Sequence, residues 1–303
     1  HAVTLNGTRH ILTPLESTVT ASETPSMKRT AASAQVVRSR IEIDQIIAEA
    51  GRTPPDWFPS VAMDHPPSLE LNWPLKPTSP GWNNQENVGQ YIWDIVNPNP
   101  HRWRSGIKLI HNCVSLHSDQ PELLYRDMKT LGNMYFNLLQ DYPRAAFWLL
   151  KAGDKLEAND RVAIAECYWR LGSKPVAMEM LRSPQLPIQA IKLFGDMGET
   201  SRAIRLASDS SKSTQAPEAF LLAGDALRQA GQPEKAIAFY QRVLTSEMYR
   251  NKDYEARHKA RAKESIDAIE LFDQLDLSKI STGTYSGTST GYNGPLTVAV
   301  QVQ

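Results

Sequence analysis

From Trp103 onward, apolar residues recur three and four positions apart, the spacing that gathers them on one face of an α-helix. Trp103, Ile107, Ile110 and Val114 make the first such stripe, and others follow it as far as a charged helix over 252–274. In that last helix Ile266, Ile269 and Phe272 are expected to close the array. The pattern predicts an almost wholly helical span from 101 to 275, without strands. A shorter stripe precedes it at Ile41, Ile46, Ile47 and Ala50, with Ser39 and Glu42 spaced as a capping box and Gly51 placed to end the helix. Strand signals lie near the two ends. Ala2–Leu5 and Thr8–Ile11 flank Asn6-Gly7, a two-residue hairpin turn, inside an extended segment (1–35) rich in Thr, Ser and Ala and read as partly mobile. Leu296, Val298, Val300 and Val302 alternate with Thr297, Ala299, Gln301 and Gln303, the pattern of a half-buried strand whose partners are absent or come from elsewhere.

Between these regions the composition shifts. Residues 51–100 hold ten of the twenty prolines and four of the seven tryptophans, Trp57, Trp73, Trp82 and Trp93. Proline blocks both helix and central strand, whereas tryptophans argue for burial. The segment 36–100 is therefore read as a short helix followed by an extended belt docked by its aromatic side chains on a helical surface. A disordered linker is the alternative.

Within the helical span a unit repeats. Leu131-Gly132-Asn133-Met134-Tyr135, Ile164-Ala165-Glu166-Cys167-Tyr168, Ala190-Ile191-Lys192-Leu193-Phe194 and Ala223-Gly224-Asp225-Ala226-Leu227 each precede a turn and a second helix. That second helix carries a small residue at Ala145, Ala177, Ala203 or Ala236, at spacings of 32, 26 and 33, so the third unit is trimmed. Gly132, Ala165 and Gly224 would let the paired helix approach. Tyr135, Tyr168, Phe194 and Leu227 would fill the space between, and Gly172, Gly198 and Gly231 would turn the chain at positive φ. Over about 119–245 this resembles the tetratricopeptide repeat, whose period is about 34 residues; other paired-helix solenoids produce similar patterns.

The resemblance implies an all-α, right-handed helical solenoid whose first helices line a groove for another protein or peptide. The matching groove positions are Lys129, Asn133, Asn137, Glu166, Trp169, Arg170, Lys192, Asp196, Asp225, Arg228 and Gln229. Lys129 and Asn133 match two positions of the carboxylate clamp used by chaperone-binding members. The other clamp positions fall on Ala163, Gln185 and Gln189, so the clamp is incomplete and a chaperone co-factor role is rejected. A solvated helix face is the alternative reading for each groove residue, and a packed interhelical position is the alternative for Trp169.

Charge narrows the field further. Lys+Arg and Asp+Glu both number 33, so no global field favours nucleic acid or an anionic membrane. The basic run Arg250, Lys252, Arg257, Lys259, Arg261 and Lys263 is interleaved or followed by Glu255, Glu264, Asp267 and Glu270 and lacks a stacking platform, so a solvated face is expected rather than a nucleic-acid site. No apolar run approaches the ~18 residues of a membrane span. Cys113 and Cys167 sit in helical patterns as small core residues. The seven histidines show no metal-ligand spacing, His111 and His117 falling on different faces, and no nucleophile elbow, phosphate loop or catalytic carboxylate pair is recognisable. The chain is expected to be non-catalytic and to hold no metal.

At the carboxyl end, Gly283-x-Tyr285-x-Gly287 and Gly291-Tyr292-x-Gly294-Pro295-Leu296-x-Val298-x-Val300 resemble the start of bacterial FMN-binding domains. Those domains are envelope-associated electron-transfer modules. Their flavin-accepting Ser-Gly-Ala-Thr element has no counterpart here, and Ser286-Gly287-Thr288-Ser289 is only an echo. A Gly/Ser/Thr linker with one strand is the alternative. The resemblance implies that 276–303 begins such a domain, that FMN belongs to the full-length protein and not to this chain, and that the protein resides in the bacterial envelope or periplasm, with membrane association through other segments. Two functions follow: a protein-binding scaffold that positions the flavin module, or a flavin-dependent redox protein in which the repeats are a spacer.

Overall fold

Helix formation begins where the sequence caps it. Ser39 Oγ accepts the Glu42 backbone N–H at 3.3 Å, the Glu42 carboxylate accepts the Ser39 N–H at 2.7 Å, and α1 runs over Arg40–Arg52. Its buried face is not the one read from the sequence. Ile43 and Ile47, four apart, are buried, Ile46 is half-buried, and Ile41 stands 70% exposed. Gly51 does not end the helix. It lies in the last turn against the Phe147 ring, where a Cβ would come within 2.1 Å of a ring carbon. The structure is a computed structural model that describes residues 2–5, 8–11, 37–274, 276–291 and 294–302; the expectations for 12–35, for the Asn6-Gly7 turn and for Tyr292 lie outside these.

The chain is mostly helical. After α1 come α2 (Val88–Tyr91), α3 (Trp103–Leu116), α4 (Pro121–Met134), α5 (Tyr142–Ala152), α6 (Ala158–Arg170), α7 (Lys174–Met180), α8 (Gln189–Asp196), α9 (Thr200–Asp209), α10 (Ala216–Gln229), α11 (Pro233–Leu244) and α12 (Lys252–Gln274). π-helical turns at Ile92–Val96 and Tyr135–Leu139 extend α2 and α4. Between 101 and 274 no strand occurs among the described residues. Prolines sit in the first turns of α4, α5, α7, α10 and α11, where the missing N–H costs nothing. The trimmed third unit is visible as an eight-residue α8 and a ten-residue α9, against fourteen and twelve residues in α10 and α11.

Two compact units result, Ala34–Asp209 and His1–Ser33 with Ser210–Gln303. In the first, α4 packs on α5, α6 on α7 and α8 on α9, while α6 also meets α5 and α8. In the second, α10 packs on α11 and α11 on α12. Close approach within pairs depends on small residues. A Cβ on Gly132 would stand 2.7 Å from Leu149, and one on Gly224 would stand 2.4 Å from the Tyr240 ring. Ala145, Ala177, Ala203 and Ala236 are fully buried, as are Tyr135 and Leu227, with Tyr168 and Phe194 nearly so. Gly172, Gly198 and Gly231 turn the chain at φ of 112°, 76° and 69°. Ile269 is buried, but Phe272 is 69% exposed and closes nothing. It is three residues further along a helix whose mean character is polar, beyond the last contact that could cover it.

Residues 53–87 are ordered without regular structure, and side chains of α3 and α4 hold them. Lys108 Nζ donates to the carbonyls of Phe58 and Val61 at 3.0 and 2.6 Å. Arg126 donates to the Pro74 carbonyl at 3.3 Å, and its guanidinium covers the Trp73 ring at 3.6 Å. His117 Nε2 meets the Asn72 carbonyl at 3.0 Å, and its Nδ1 meets Asp127 Oδ2 at 2.5 Å. Both ring nitrogens thus meet oxygen atoms of the protein. Asp127, fully buried, also pairs with Arg126 at 2.9 Å. The cluster holds Trp73 at a φ of 32°, unusual for a residue with a bulky side chain. The docked-belt expectation holds for Trp73, which is buried, and in part for Trp57, which is half-buried beneath Arg104. It fails for Trp93, 68% exposed, and for Trp82, 64% exposed, whose indole N–H bonds Asp94. Their segment folds on itself through that bond instead of laying its rings on α3.

Among the described residues the strands form two antiparallel pairs. β1 (Ala2–Leu5) pairs with β2 (Thr8–Ile11), opposing Ala2 to Ile11. β3 (Gly283–Gly291) pairs with β4 (Gly294–Val302), opposing Tyr285 to Val300 and Gly287 to Val298. The expectation that the last strand lacks a partner is therefore corrected. Its partner is the preceding Gly/Ser/Thr-rich run, whose low apolar content hid its strand character. Leu296, Val298 and Val300 are 60%, 54% and 55% exposed.

Removing the buried carboxylate tests the clamp on the belt. Asp127→Ala leaves Arg126 without a counter-charge and the His117 ring without its side-chain partner, and should cost about 3–5 kcal/mol in urea unfolding. Limited proteolysis of the folded variant should open between 59 and 86 first. A variant as stable and as resistant as the parent would remove Asp127 from this role.

Candidate functional site

Eight of the eleven groove positions come together on three successive first helices. On α4, Lys129 Nζ reaches Glu157 at 2.6 Å and Asp160 at 3.2 Å, and Asn133 Nδ2 donates to Asp160 at 3.0 Å. Asn137, one turn on, donates to the Asn133 carbonyl at 2.9 Å. On α6, Arg170 pairs with Glu166 at 3.0 Å and crosses to Asp196 of α8 at 3.6 Å, while Lys192 closes on Asp196 at 2.5 Å. Trp169 is half-buried with the Arg170 guanidinium 4.3 Å above its ring. The result is a polar ladder from α4 to α8, in which these charges are already paired with one another.

The remaining three positions lie on α10 in the second unit. Asp225 accepts from the Tyr240 hydroxyl at 2.8 Å and pairs with Arg261, so it ties α10 to α11 and α12. Arg228 and Gln229 are exposed. The basic run on α12 behaves as a solvated face: Lys259 pairs with Glu255 at 2.7 Å, and Arg257 covers Tyr254 at 4.6 Å.

Two ladder residues escaped the sequence reading, Glu157 and Asp160. The Glu157 N–H donates to Asp160 Oδ2 at 3.1 Å, a capping arrangement at the start of α6. The Glu-x-x-Asp spacing was a legible signal for it. Asp160 is nearly buried, and its engagement with Lys129 and Asn133 removes the two donors that a carboxylate clamp would need.

A second cluster surrounds His111 on α3. Its Nε2 lies 2.9 Å from the Tyr135 hydroxyl, and its ring meets Phe58, Trp148 and Tyr135 edge-on at centroid distances of 5.0, 5.3 and 5.9 Å. Burial, aided by the Arg144 cation, lowers the His111 pKa to about 4, so the ring is neutral at neutral pH. Burial raises the Tyr135 phenol well above its usual range. The sequence reading considered His111 only as a metal ligand, because its neighbours come from three separate stretches of chain.

Burial pushes the Cys113 thiol up to about 12 and the Cys167 thiol higher still, as befits inert core residues. Among the described residues no group of three His, Cys, Asp or Glu side chains is placed to hold a metal ion, and no helix is long and apolar enough to cross a membrane. Neither the family models nor the curated proteins nor the solved structures contain a match to this chain.

The depressed His111 pKa has a thermodynamic consequence. The unfolded chain takes up a proton near pH 6.5 that the folded chain refuses until about pH 4. Stability contributed by neutral His111 is complete above pH 6.5 and declines as pH falls toward 4, with a limiting slope of about 1.4 kcal/mol per pH unit. His111→Gln should flatten the pH dependence of urea unfolding between 6.5 and 4 relative to the parent. Parallel curves would show that the imidazole is not desolvated.

Proposed function

We propose that this chain is a non-catalytic protein-binding scaffold, a right-handed paired-helix solenoid of the tetratricopeptide kind that receives a protein or peptide on the α4–α6–α8 face. The observation that carries the reading is the convergence there of Lys129, Asn133, Asn137, Glu166, Trp169, Arg170, Lys192 and Asp196, from three successive first helices. Helix pairing, glycine turns at positive φ and small residues at the pair contacts support the solenoid. Because the ladder charges are mutually paired, long-range attraction contributes little. Affinity instead comes from Trp169 and from hydrogen bonds exchanged along the ladder. A half-exposed tryptophan stacked by arginine is the kind of anchor that dominates such surfaces.

Cross-linking tests the reading. A photoreactive residue at Asn137 or Lys192 should give a discrete adduct in lysate of the source cell, and one on the opposite side at Lys151 should not. Trp169→Ala should weaken the purified partner by about 2 kcal/mol or more. Equal adducts from both sides, or an unchanged affinity, would sink the proposal.

The hairpin β3–β4 favours an extension of this function. Leu296, Val298 and Val300 share one exposed strand face, as the opening hairpin of an FMN-binding module would present it to the rest of that module. In this reading the scaffold positions an electron-transfer module in the bacterial envelope; the alternative makes the flavin the functional centre and the repeats a spacer. A two-stranded hairpin cannot enclose an isoalloxazine ring. This chain should therefore retain no flavin absorbance after desalting, and the full-length protein, made with a flavin-attaching enzyme, should be yellow. A colourless full-length protein removes the redox part and leaves the scaffold.

A further inference from the structure

One corner of the unit Ala34–Asp209 stays open where four elements meet. The end of α1 and the Thr53-Pro54-Pro55 turn form one side; α3, the π-helical turn after α4 and α5 form the others. The cavity measures about 300 Å³, the lower end of the range for small-molecule sites. Its walls are aromatic, Phe58, His111, Tyr135 and Trp148, with the imidazole edge-on to each of the other three. Two arginines, Arg52 and Arg144, line it, and no acidic residue does.

Arg144 is fixed from behind. One terminal nitrogen donates to Asp141 at 2.8 Å and the other to the Thr53 carbonyl at 3.1 Å. Its Nε is buried and has no protein acceptor among the described residues. That Nε is closed to solvent, so a ligand in the cavity is met by the remaining N–H groups of the two terminal nitrogens, whose direction the bonds to Asp141 and Thr53 preset. Asp141 balances one of the two cations, so the cavity is left with one net positive charge. The imidazole adds none while it stays neutral. Flat walls favour a flat ring, because edge-to-face and offset contacts need a π-system on the ligand.

We propose that this cavity binds a small planar aromatic carboxylate, with its ring between Phe58 and Trp148 and its carboxylate on Arg144, and with Arg52 at the mouth. This site lies apart from the polar ladder and does not depend on a protein partner. It makes the scaffold responsive to a metabolite, since the cavity joins the end of α1 and the start of the belt to α3 and α5. A ligand that bridges them tightens the contact.

The test uses the full chain and three probes: benzoate, nicotinate and indole-3-acetate. Calorimetry and saturation-transfer NMR should show saturable binding of at least one of them. The matching neutral amide should bind at least tenfold more weakly, and acetate should not saturate. Arg144→Gln should weaken the acid by roughly tenfold or more. Arg52→Gln, an exposed substitution, should weaken it severalfold while leaving thermal unfolding unchanged, which keeps the test valid if Arg144→Gln unfolds. Absence of saturable binding by all three acids overturns the proposal, as does an amide that binds equally or an Arg52→Gln chain that binds like the parent. None of these outcomes touches the cross-linking test of the α4–α6–α8 face.

Discussion

A stretch with ten prolines in fifty residues cannot build a hydrogen-bond ladder of its own, yet its carbonyls must be satisfied wherever they are buried. This protein meets the constraint with side chains from two neighbouring helices. Lys108 takes two belt carbonyls, His117 a third and Arg126 a fourth. Burying cations for this purpose is costly unless a counter-charge accompanies them. Asp127 supplies it, paired to His117 and Arg126 at once. Lys108, His117, Arg126 and Asp127 are thereby committed to the belt. Trp73, with its unusual backbone angle, is held between them.

The same economy of contacts organises the helix pairs. A glycine on the first helix admits a large side chain from its partner, as Gly132 admits Leu149 and Gly224 admits the Tyr240 ring. That ring in turn places its hydroxyl on Asp225, so a packing requirement draws a polar residue out of the groove set and into the architecture. Gly51 plays a comparable part for α1, accepting Phe147 of α5. Close approach, more than helix propensity, decides where these helices sit.

Two surfaces with different chemistry result. The α4–α6–α8 face is rich in charge but internally paired. The His111 cavity is walled by aromatic rings and lined by two arginines with no acidic residue. Cations set among aromatic walls suit an anion that carries a flat ring. The first surface is the one proposed for a macromolecule and the second the one proposed for a small acid, and they share no residue.

Periodicity and small-residue spacing were enough to read the helical span, its pairing, its trimmed third unit and its glycine turns, because these depend on contacts between near neighbours in the chain. Most of the ladder positions were legible for the same reason: a fixed place on each first helix becomes one face when the helices stack. Glu157 and Asp160 were missed although their capping spacing was in view. Other features depended on contacts between distant segments. No local pattern distinguishes Trp73, which is buried, from Trp93, which is not. The choice of Ile43 over Ile41 came from packing on α5, and the pairing of β4 came from a run that reads as a linker. Phe58, His111 and Tyr135 are separated by tens of residues, and only the docking of the belt and α1 against α3 and α5 encloses them together with Arg144. One-dimensional spacing determined the helices and their order; the cavity and the buried charge cluster were decided by tertiary packing, because each requires side chains from three or more elements to meet at one point.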